Sequence, residues 1–186
     1  ENGEVVEVDM MRQRENSLYY NNEDFEMTIK GFYDGKYSML LALPKKNVKC
    51  GKAAQMMMND LGNYLSEMKR CEVDLSMPRF TVEFGSSLKK FLEQQGIIRA
   101  FGQRAQFEGI SDEPLRISDI MQKTYVKVDE DGTEAAAVTA VRVGAMSMRP
   151  QNIIPMKLDR PFVFAIIRND GNEVLFVGKV GNPLEK

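Results

Sequence analysis

The sequence predicts an α+β fold rich in antiparallel sheet, and three observations predict it. Apolar and polar residues alternate along several short segments, as they do in strands with one buried face. The segments 34–35 (Asp-Gly) and 169–172 (Asn-Asp-Gly-Asn) are typical of turns that join antiparallel strands. Helical spacing of apolar residues is confined to segments near 53–69 and 88–92. We therefore expect mixed, mostly antiparallel sheets with a few helices.

The first predicted strands lie near the start of the chain. Residues 6–10 alternate valine and methionine with acidic residues, and residues 25–30 alternate apolar with polar residues in the same way. Asp34-Gly35 predicts a tight turn with positive φ at both positions. The turn leads into residues 37–43, which have too little polarity for either face to be exposed, so they predict a central strand.

The helical segments are short. Residues 53–69 predict one amphipathic helix or a pair of short ones. A second helix is expected after Ser86 or Ser87, either of which can cap its start, and Gly96 can end it.

The remaining predicted strands lie in the second half of the chain. Residues 79–84 alternate and are expected to bury Phe84 with the other apolar residues of that strand, and a further strand runs from near 117 to 129. Residues 162–167 and 174–180 flank the second turn and predict a hairpin of two buried strands.

Composition excludes several classes of function. The 186 residues include no histidine, so this chain alone cannot build a Ser-His or Cys-His nucleophile, a histidine metal ligand or a histidine pH switch. The 25 basic and 27 acidic residues nearly balance, which disfavours nucleic-acid binding. Without a phosphate loop or a carboxylate-rich metal motif, we expect neither an enzyme nor a bound metal or cofactor.

Two further features bear on compartment. Cys50 and Cys71 are too few for a disulfide scaffold or a four-thiolate zinc site, and their spacing leaves one bridge or two free thiols equally open. The longest apolar runs, such as 37–43 and 162–167, are far shorter than the roughly 20 residues of a membrane helix, so we expect no membrane partner.

One segment conflicts in its local preferences. Residues 133–145 combine alanines, which favour helix, with valines and threonines, which favour strand. Every odd position there is small or β-branched and uncharged, while both charges, Glu134 and Arg142, fall on even positions. That period of two fits an ordinary edge hairpin, turned at Asp131-Gly132, or a strand that is exposed in one state and inserted in another.

The sequence around this segment resembles the hinge of a serpin reactive-centre loop, through residues 130–139 (Glu-Asp-Gly-Thr-Glu-Ala-Ala-Ala-Val-Thr). Five further stretches resemble serpin motifs in the family's order and extend the resemblance over essentially all 186 residues: 8–11 (Val-Asp-Met-Met), 78–80 (Pro-Arg-Phe), 120–123 (Ile-Met-Gln-Lys), 156–166 (Met-Lys-Leu-Asp-Arg-Pro-Phe-Val-Phe-Ala-Ile) and 175–183 (Leu-Phe-Val-Gly-Lys-Val-Gly-Asn-Pro).

The resemblance implies a suicide inhibitor of serine proteases. The loop, at about 130–152, would be cleaved to an acyl-enzyme and then insert as a strand of a sheet, distorting the protease. The implied hinge residues are Glu130, Gly132, Thr133, Glu134, Ala135, Ala136 and Ala137. A non-inhibitory serpin with a carrier, storage or chaperone role is the alternative.

Family spacing places the reactive bond fourteen residues after Gly132, between Met146 and Ser147. Methionine before the bond implies an elastase-like or chymotrypsin-like target. Met148-Arg149 is the alternative bond and suits a similar pocket. Cleavage after Arg149 would need a trypsin-like enzyme and is disfavoured because Pro150 follows it.

The resemblance also implies an ion pair between Glu130 and Arg79 at the top of the sheet. The sequence departs from the family at Asp9, where proline is usual, and at Gln122, where many members have histidine. A basic cluster is interpreted as a solvated face rather than a glycosaminoglycan site; its members are Lys45, Lys46, Lys49 and Lys52.

The resemblance changes how the length is interpreted, because serpins are about twice as long as the 186 residues of this chain. We expect residues 1–186 to be the C-terminal part of a single serpin domain, with the N-terminal portion of the same serpin as its partner. We expect a secreted, extracellular protein, with a cytoplasmic location left open.

Overall fold

A seven-stranded sheet dominates the computed structural model, which describes residues 5–130 and 152–185. Within those residues the strands are β1 (Met10–Asn21), β2 (Phe25–Gly31), β3 (Tyr37–Pro44), β4 (Lys69–Pro78), β5 (Phe80–Ser87), β6 (Met121–Val128), β7 (Ile153–Lys157), β8 (Phe162–Arg168) and β9 (Glu173–Val180). The helices are α1 (Cys50–Asn59), α2 (Leu61–Glu67) and α3 (Lys89–Gln94), with a 3₁₀ turn at Arg99–Phe101.

The large sheet has the strand order β7-β4-β1-β2-β3-β8-β9. Its neighbouring strands pair antiparallel except β4 and β7, which are parallel. β5 and β6 form a separate two-stranded sheet. The predicted α+β class with mostly antiparallel sheet is confirmed.

The chain divides into two compact units, one formed by residues 1–81 with 127–186 and the other by residues 82–126. In the first unit, α1 and α2 cover one face of β2, β3 and β8. Leu40, Ala165 and Met57 are fully buried in the core on that face, and Tyr64 packs edge-on against the Phe25 ring at 5.2 Å. The prediction for 53–69 left open one helix or a pair of short ones, and the structure has the pair.

The opposite face of the sheet carries a second packed group, which centres on Phe80. Phe162 and Phe164 project from β8 and meet the ring of Phe80 at 5.5 and 5.4 Å. Phe164 also lies directly opposite Gly178 of β9, where a Cβ atom would come within 2.6 Å of the phenyl ring. Gly178 is thus required by close packing and not by its backbone angles.

A buried lysine lies on this opposite face. The Lys30 ammonium donates a hydrogen bond to the Gln13 side-chain oxygen and lies 3.9 Å from a Glu15 carboxylate oxygen. Burial lowers the pKa of Lys30, and the nearby Glu15 charge opposes that effect. The polar partners on β1 therefore keep the ammonium group from being buried without compensation.

Two predictions about strand ends are wrong. Residues 5–9 form no strand, because the pairing of β1 with β4 begins only at Met10, opposite Pro78 at the end of β4. The strand predicted from residue 117 begins instead at Met121. Backbone groups just before it bond elsewhere, since Ile117 donates to the Ala100 carbonyl and Ile120 accepts from Leu88.

The first turn also differs from the prediction. The Gly35 amide donates to the Phe32 carbonyl at 3.0 Å, so the central residues of the turn are 33 and 34. Gly35 has φ +65°, whereas Asp34 is not at positive φ. The turn is therefore followed by a single glycine in the left-handed conformation, whereas the prediction had two central residues with positive φ.

Two burial predictions are wrong as well. Phe84 on β5 is 61% exposed, although its strand was predicted to bury it. In the predicted hairpin of 162–167 and 174–180, β8 is buried, but β9 leaves Leu175, Phe176 and Val177 more than 40% exposed. These side chains have no covering element among the described residues.

Candidate functional site

The predicted loop residues lie between β6 and β7. Glu130 is the last described residue before the gap at 131–151, and β7 begins at Ile153 just after it. The other hinge residues and both candidate bonds lie outside the described residues: Gly132, Thr133, Glu134, Ala135, Ala136, Ala137, Met146, Ser147, Met148 and Arg149. Their roles stay predictions.

The base of this segment carries an ion pair between Arg79 and Glu130. Arg79 lies between the end of β4 and the start of β5, and Glu130 lies two residues beyond β6. The guanidinium donates to a Glu130 carboxylate oxygen at 2.6 Å, and both side chains are about half exposed. This hydrogen bond lowers the pKa of Glu130 and raises the pKa of Arg79. The structure brings the two residues together, and an effect on loop entry stays a prediction.

An open cleft of about 1060 Å³ lies beside this pair. Phe80, Val128 and Leu184 contribute apolar surface to it. Five acidic and two basic side chains also line it, and these are Glu7, Asp9, Asp129, Glu130 and Glu185 against Arg79 and Lys127. The excess of carboxylates favours cationic groups over anions here. The departure from the family noted at Asp9 therefore adds a negative charge to this wall.

The structure also describes the other residues singled out from the sequence. Gln122 is exposed on β6. The predicted basic cluster surrounds the start of α1, where the Lys45 ammonium donates to the Asn21 side-chain oxygen at 2.7 Å and Lys46, Lys49 and Lys52 are exposed. The Cys50 and Cys71 thiols are not joined by a disulfide.

Sequence reasoning missed a pair of ionic contacts across β1 and β4. Arg12 binds both carboxylate oxygens of Asp74, at 2.8 and 2.5 Å, and Arg14 binds Glu72 at 2.7 Å. The first contact lowers the pKa of Asp74. The signal for β4 was present, because apolar and polar residues alternate from 72 to 77.

Residues 5–130 and 152–185 lack two kinds of feature. None of the helices there has the length and apolar character needed to cross a membrane. No group of three or more Cys, Asp or Glu side chains in the same residues is arranged to hold a metal ion.

Comparisons with known proteins identify the family. The sequence model of the serpin family, described as serine protease inhibitors, matches residues 1–183. An α-1-antitrypsin homolog from Cyprinus carpio is 34% identical over 183 residues, which are 97% of this chain and 48% of that protein.

Solved structures agree with that match. The native state of the thermophilic serpin tengpin matches with a TM-score of 0.75 at 33% identity, over 94% of this chain and 46% of that one. Thyroxine-binding globulin in complex with thyroxine matches with a TM-score of 0.79 at 27% identity, over 100% of this chain and 49% of that one.

The fold and these matches point to one family, whose sequence model carries the description serine protease inhibitor. The chain belongs to the serpin family, and it spans about half the length of the relatives it matches. The resemblance drawn from its motifs is confirmed. Members of this family are in general protease inhibitors rather than enzymes, although some are non-inhibitory.

Proposed function

We propose that this chain is the C-terminal part of an inhibitory serpin, secreted from the cell, that traps an elastase-like or chymotrypsin-like serine protease as a suicide substrate. The observation that carries the proposal is the composition of residues 133–145. All odd positions there are small or β-branched and uncharged, so one face of an inserted strand would enter a packed core without a buried charge. Membership of the serpin family supports the same mechanism.

The proposed reactive bond joins Met146 to Ser147, with Met148-Arg149 as the alternative. The loop would be held at its two ends by the described strands β6 and β7. At the β6 end, the exposed pair of Arg79 and Glu130 would set how readily the hinge enters the sheet.

The decisive experiment mixes the complete protein, this chain together with its N-terminal portion, with elastase-like and chymotrypsin-like proteases. We expect a complex that survives SDS, and a released C-terminal peptide that begins at Ser147 by mass spectrometry. A peptide beginning at Arg149 would move the bond to the alternative site. A peptide beginning at Pro150 would overturn the assignment to an apolar primary pocket.

The hinge offers a matched pair of variants for this experiment. Ala135→Glu puts a carboxylate on the face that enters the core, at a cost of several kcal/mol if it is unpaired. We expect that variant to be cleaved without forming the stable complex. Ala136→Glu adds the same charge on the outward face and should still form the complex. Equal complex yields from the two variants would contradict insertion in this register.

A carrier role is the second candidate, and the likeness to thyroxine-binding globulin favours it. Under this alternative, proteases would cleave the loop cleanly, without a stable complex and without a gain in thermal stability after cleavage. Both results together would replace the proposed inhibition.

A further inference from the structure

The outer part of the large sheet carries a row of basic side chains next to the end of the loop segment. Lys157 of β7 pairs in register with Ser76 of β4, which pairs with Arg12 of β1. Neighbouring strands are about 4.8 Å apart, so the Cα atoms of Lys157 and Arg12 lie roughly 10 Å apart on one face. Two residues along, Asp74 of β4 pairs with Arg14 of β1 on the same face. Arg70 lies on the same face of β4, because it precedes Asp74 by four residues and alternate residues of a strand share a face. We call Arg12, Arg14, Arg70 and Lys157 the basic face.

The acidic partners on this face lie beneath the arginines. The Arg12 and Arg14 side chains are 72% and 47% exposed, whereas those of Asp74 and Glu72 are only 16% and 21% exposed. The ion pairs therefore present guanidinium groups outward and cover the carboxylates.

Arg70 and Lys157 add to this positive surface. Both are exposed, and neither makes an ion pair within the described part of the chain. Four basic side chains against two largely covered acidic ones give the face a net positive charge, although the chain as a whole has a net charge of −2.

The position of β7 indicates which molecule would meet this positive surface. Ile153 follows Ser147 by six residues, which span at most about 20 Å when extended. A protease held at the proposed reactive bond would thus come close to β7 and the strands that pair with it. A stable interface covers about 800 Å² on each partner, far more than a few loop residues supply. A second area of contact is therefore expected beside the loop.

We propose that the basic face is a second contact surface for the target protease and that it selects a protease with an acidic surface on the side where the residues after the cleaved bond emerge. This inference rests on the proposed inhibitory function. Opposite charges at the rim of an interface act chiefly on the rate of association, and their effect weakens as salt increases. The face would therefore set how fast the inhibitor captures its target, and not whether the trapped complex is stable.

The test is the second-order rate constant of complex formation between the complete protein and the protease that gives the SDS-stable complex. The variant is Arg70→Glu with Lys157→Glu, which leaves both arginine ion pairs intact. We expect a roughly tenfold lower rate constant at low salt, which is the lower end of measured steering effects. The difference should shrink in 0.3 M salt, and the final yield of complex should be unchanged.

Two comparison proteins control for charge and for side-chain identity. Lys36→Glu with Lys46→Glu makes the same change in net charge at exposed lysines outside the basic face, and it should leave the rate constant unchanged. Arg70→Lys with Lys157→Arg keeps the charges and should behave as the unmodified protein.

The outcomes separate the two proposals. Normal complex with an unchanged rate constant in the glutamate variant overturns the basic face alone. A rate difference that appears only after a sulfated polysaccharide is added also overturns it, because the face then binds the polyanion. Absence of any stable complex with the unmodified protein overturns the inhibitory function and this inference together.

Discussion

Two phenylalanines on strands show how differently the two units of the chain bury their apolar side chains. Phe25 lies in the unit of residues 1–81 and 127–186, which we call the sheet unit, and it is fully buried with Tyr64 edge-on against its ring. Phe84 lies in the unit of residues 82–126 and is 61% exposed. The elements around each ring show the same contrast. β2 and β3 in the sheet unit bury most of their residues, whereas α3 in the other unit buries none.

The difference indicates that the sheet unit closes its core beneath α1 and α2, with β9 left partly uncovered, and that the unit of residues 82–126 does not close one. Its other strongly exposed apolar side chains include Phe91, Ile98, Ile110, Met121 and Tyr125. A complete soluble domain seldom leaves so many large apolar groups exposed. This contrast supports the proposal that residues 1–186 are part of one serpin domain and that the N-terminal portion covers the remainder.

The largest effect on the free energy of unfolding is expected in the closed core of the sheet unit. Phe25→Ala in the complete protein should lower the free energy of unfolding by about 3–5 kcal/mol, because it leaves a cavity between the sheet and α2. Urea unfolding followed by circular dichroism measures this change. Phe25→Leu keeps most of the volume and should cost much less. A loss below about 1 kcal/mol for the alanine variant would mean that this core is not closed.

Phe84→Ala makes the same substitution in the unit of residues 82–126. If the N-terminal portion buries this ring, the complete protein should lose about 2 kcal/mol of unfolding free energy in the same assay. A side chain that stays exposed would give a change within about 0.5 kcal/mol. That smaller value would contradict the proposed covering of this unit, whatever happens at Phe25.

Gly178→Ala probes how tightly the sheet unit is packed at β9. The added methyl group would lie 2.6 Å from the Phe164 ring, so the ring or the strand must move. Overpacking of this kind costs about 1–3 kcal/mol. Gly181→Ala is the matched control, because among the described residues no atom beyond Gly181 and its two chain neighbours lies within 4 Å of the added methyl group. Replacing Phe164 with Leu in the Gly178→Ala background should recover part of the loss, and an unchanged loss would place the strain elsewhere.

The elements that could be predicted from the sequence are those whose burial pattern is complete within the chain. The central strand at β3 is apolar except for Ser38, and α1 and α2 carry apolar residues at helical spacing. β1 is harder, because Arg12 to Asn16 are all polar and only pairing with β4 defines the strand. The same limit explains the errors at Phe84 and at β9, since their apolar residues indicate burial whose partner is not among the described residues.

The candidate site also has a part that could be predicted from the sequence and a part that could not. Arg79 and Glu130 are 51 residues apart, and no local pattern links them, so their contact could be predicted only from the resemblance to serpins. The basic face could not be predicted at all. It depends on the register that places Lys157 and Arg12 in one row across three strands, and on the relative burial of acids and arginines.

The smallest expected effect concerns the pH dependence of the pair at the base of the loop. The hydrogen bond from Arg79 lowers the pKa of Glu130 below its usual value of 4.5. A carboxyl group whose folded-state pKa is lowered stabilises the fold above its unfolded pKa, and this contribution disappears as pH falls through the folded value. The unfolding midpoint of Glu130→Gln should therefore lie slightly below that of the unmodified protein at pH 7. The gap should persist to pH 5 and close only in more acidic solution. Arg79→Met should show the same behaviour, and the double variant should add nothing further, because each change removes the same contact. A gap that stays constant down to pH 3 would assign the effect to something other than this ion pair.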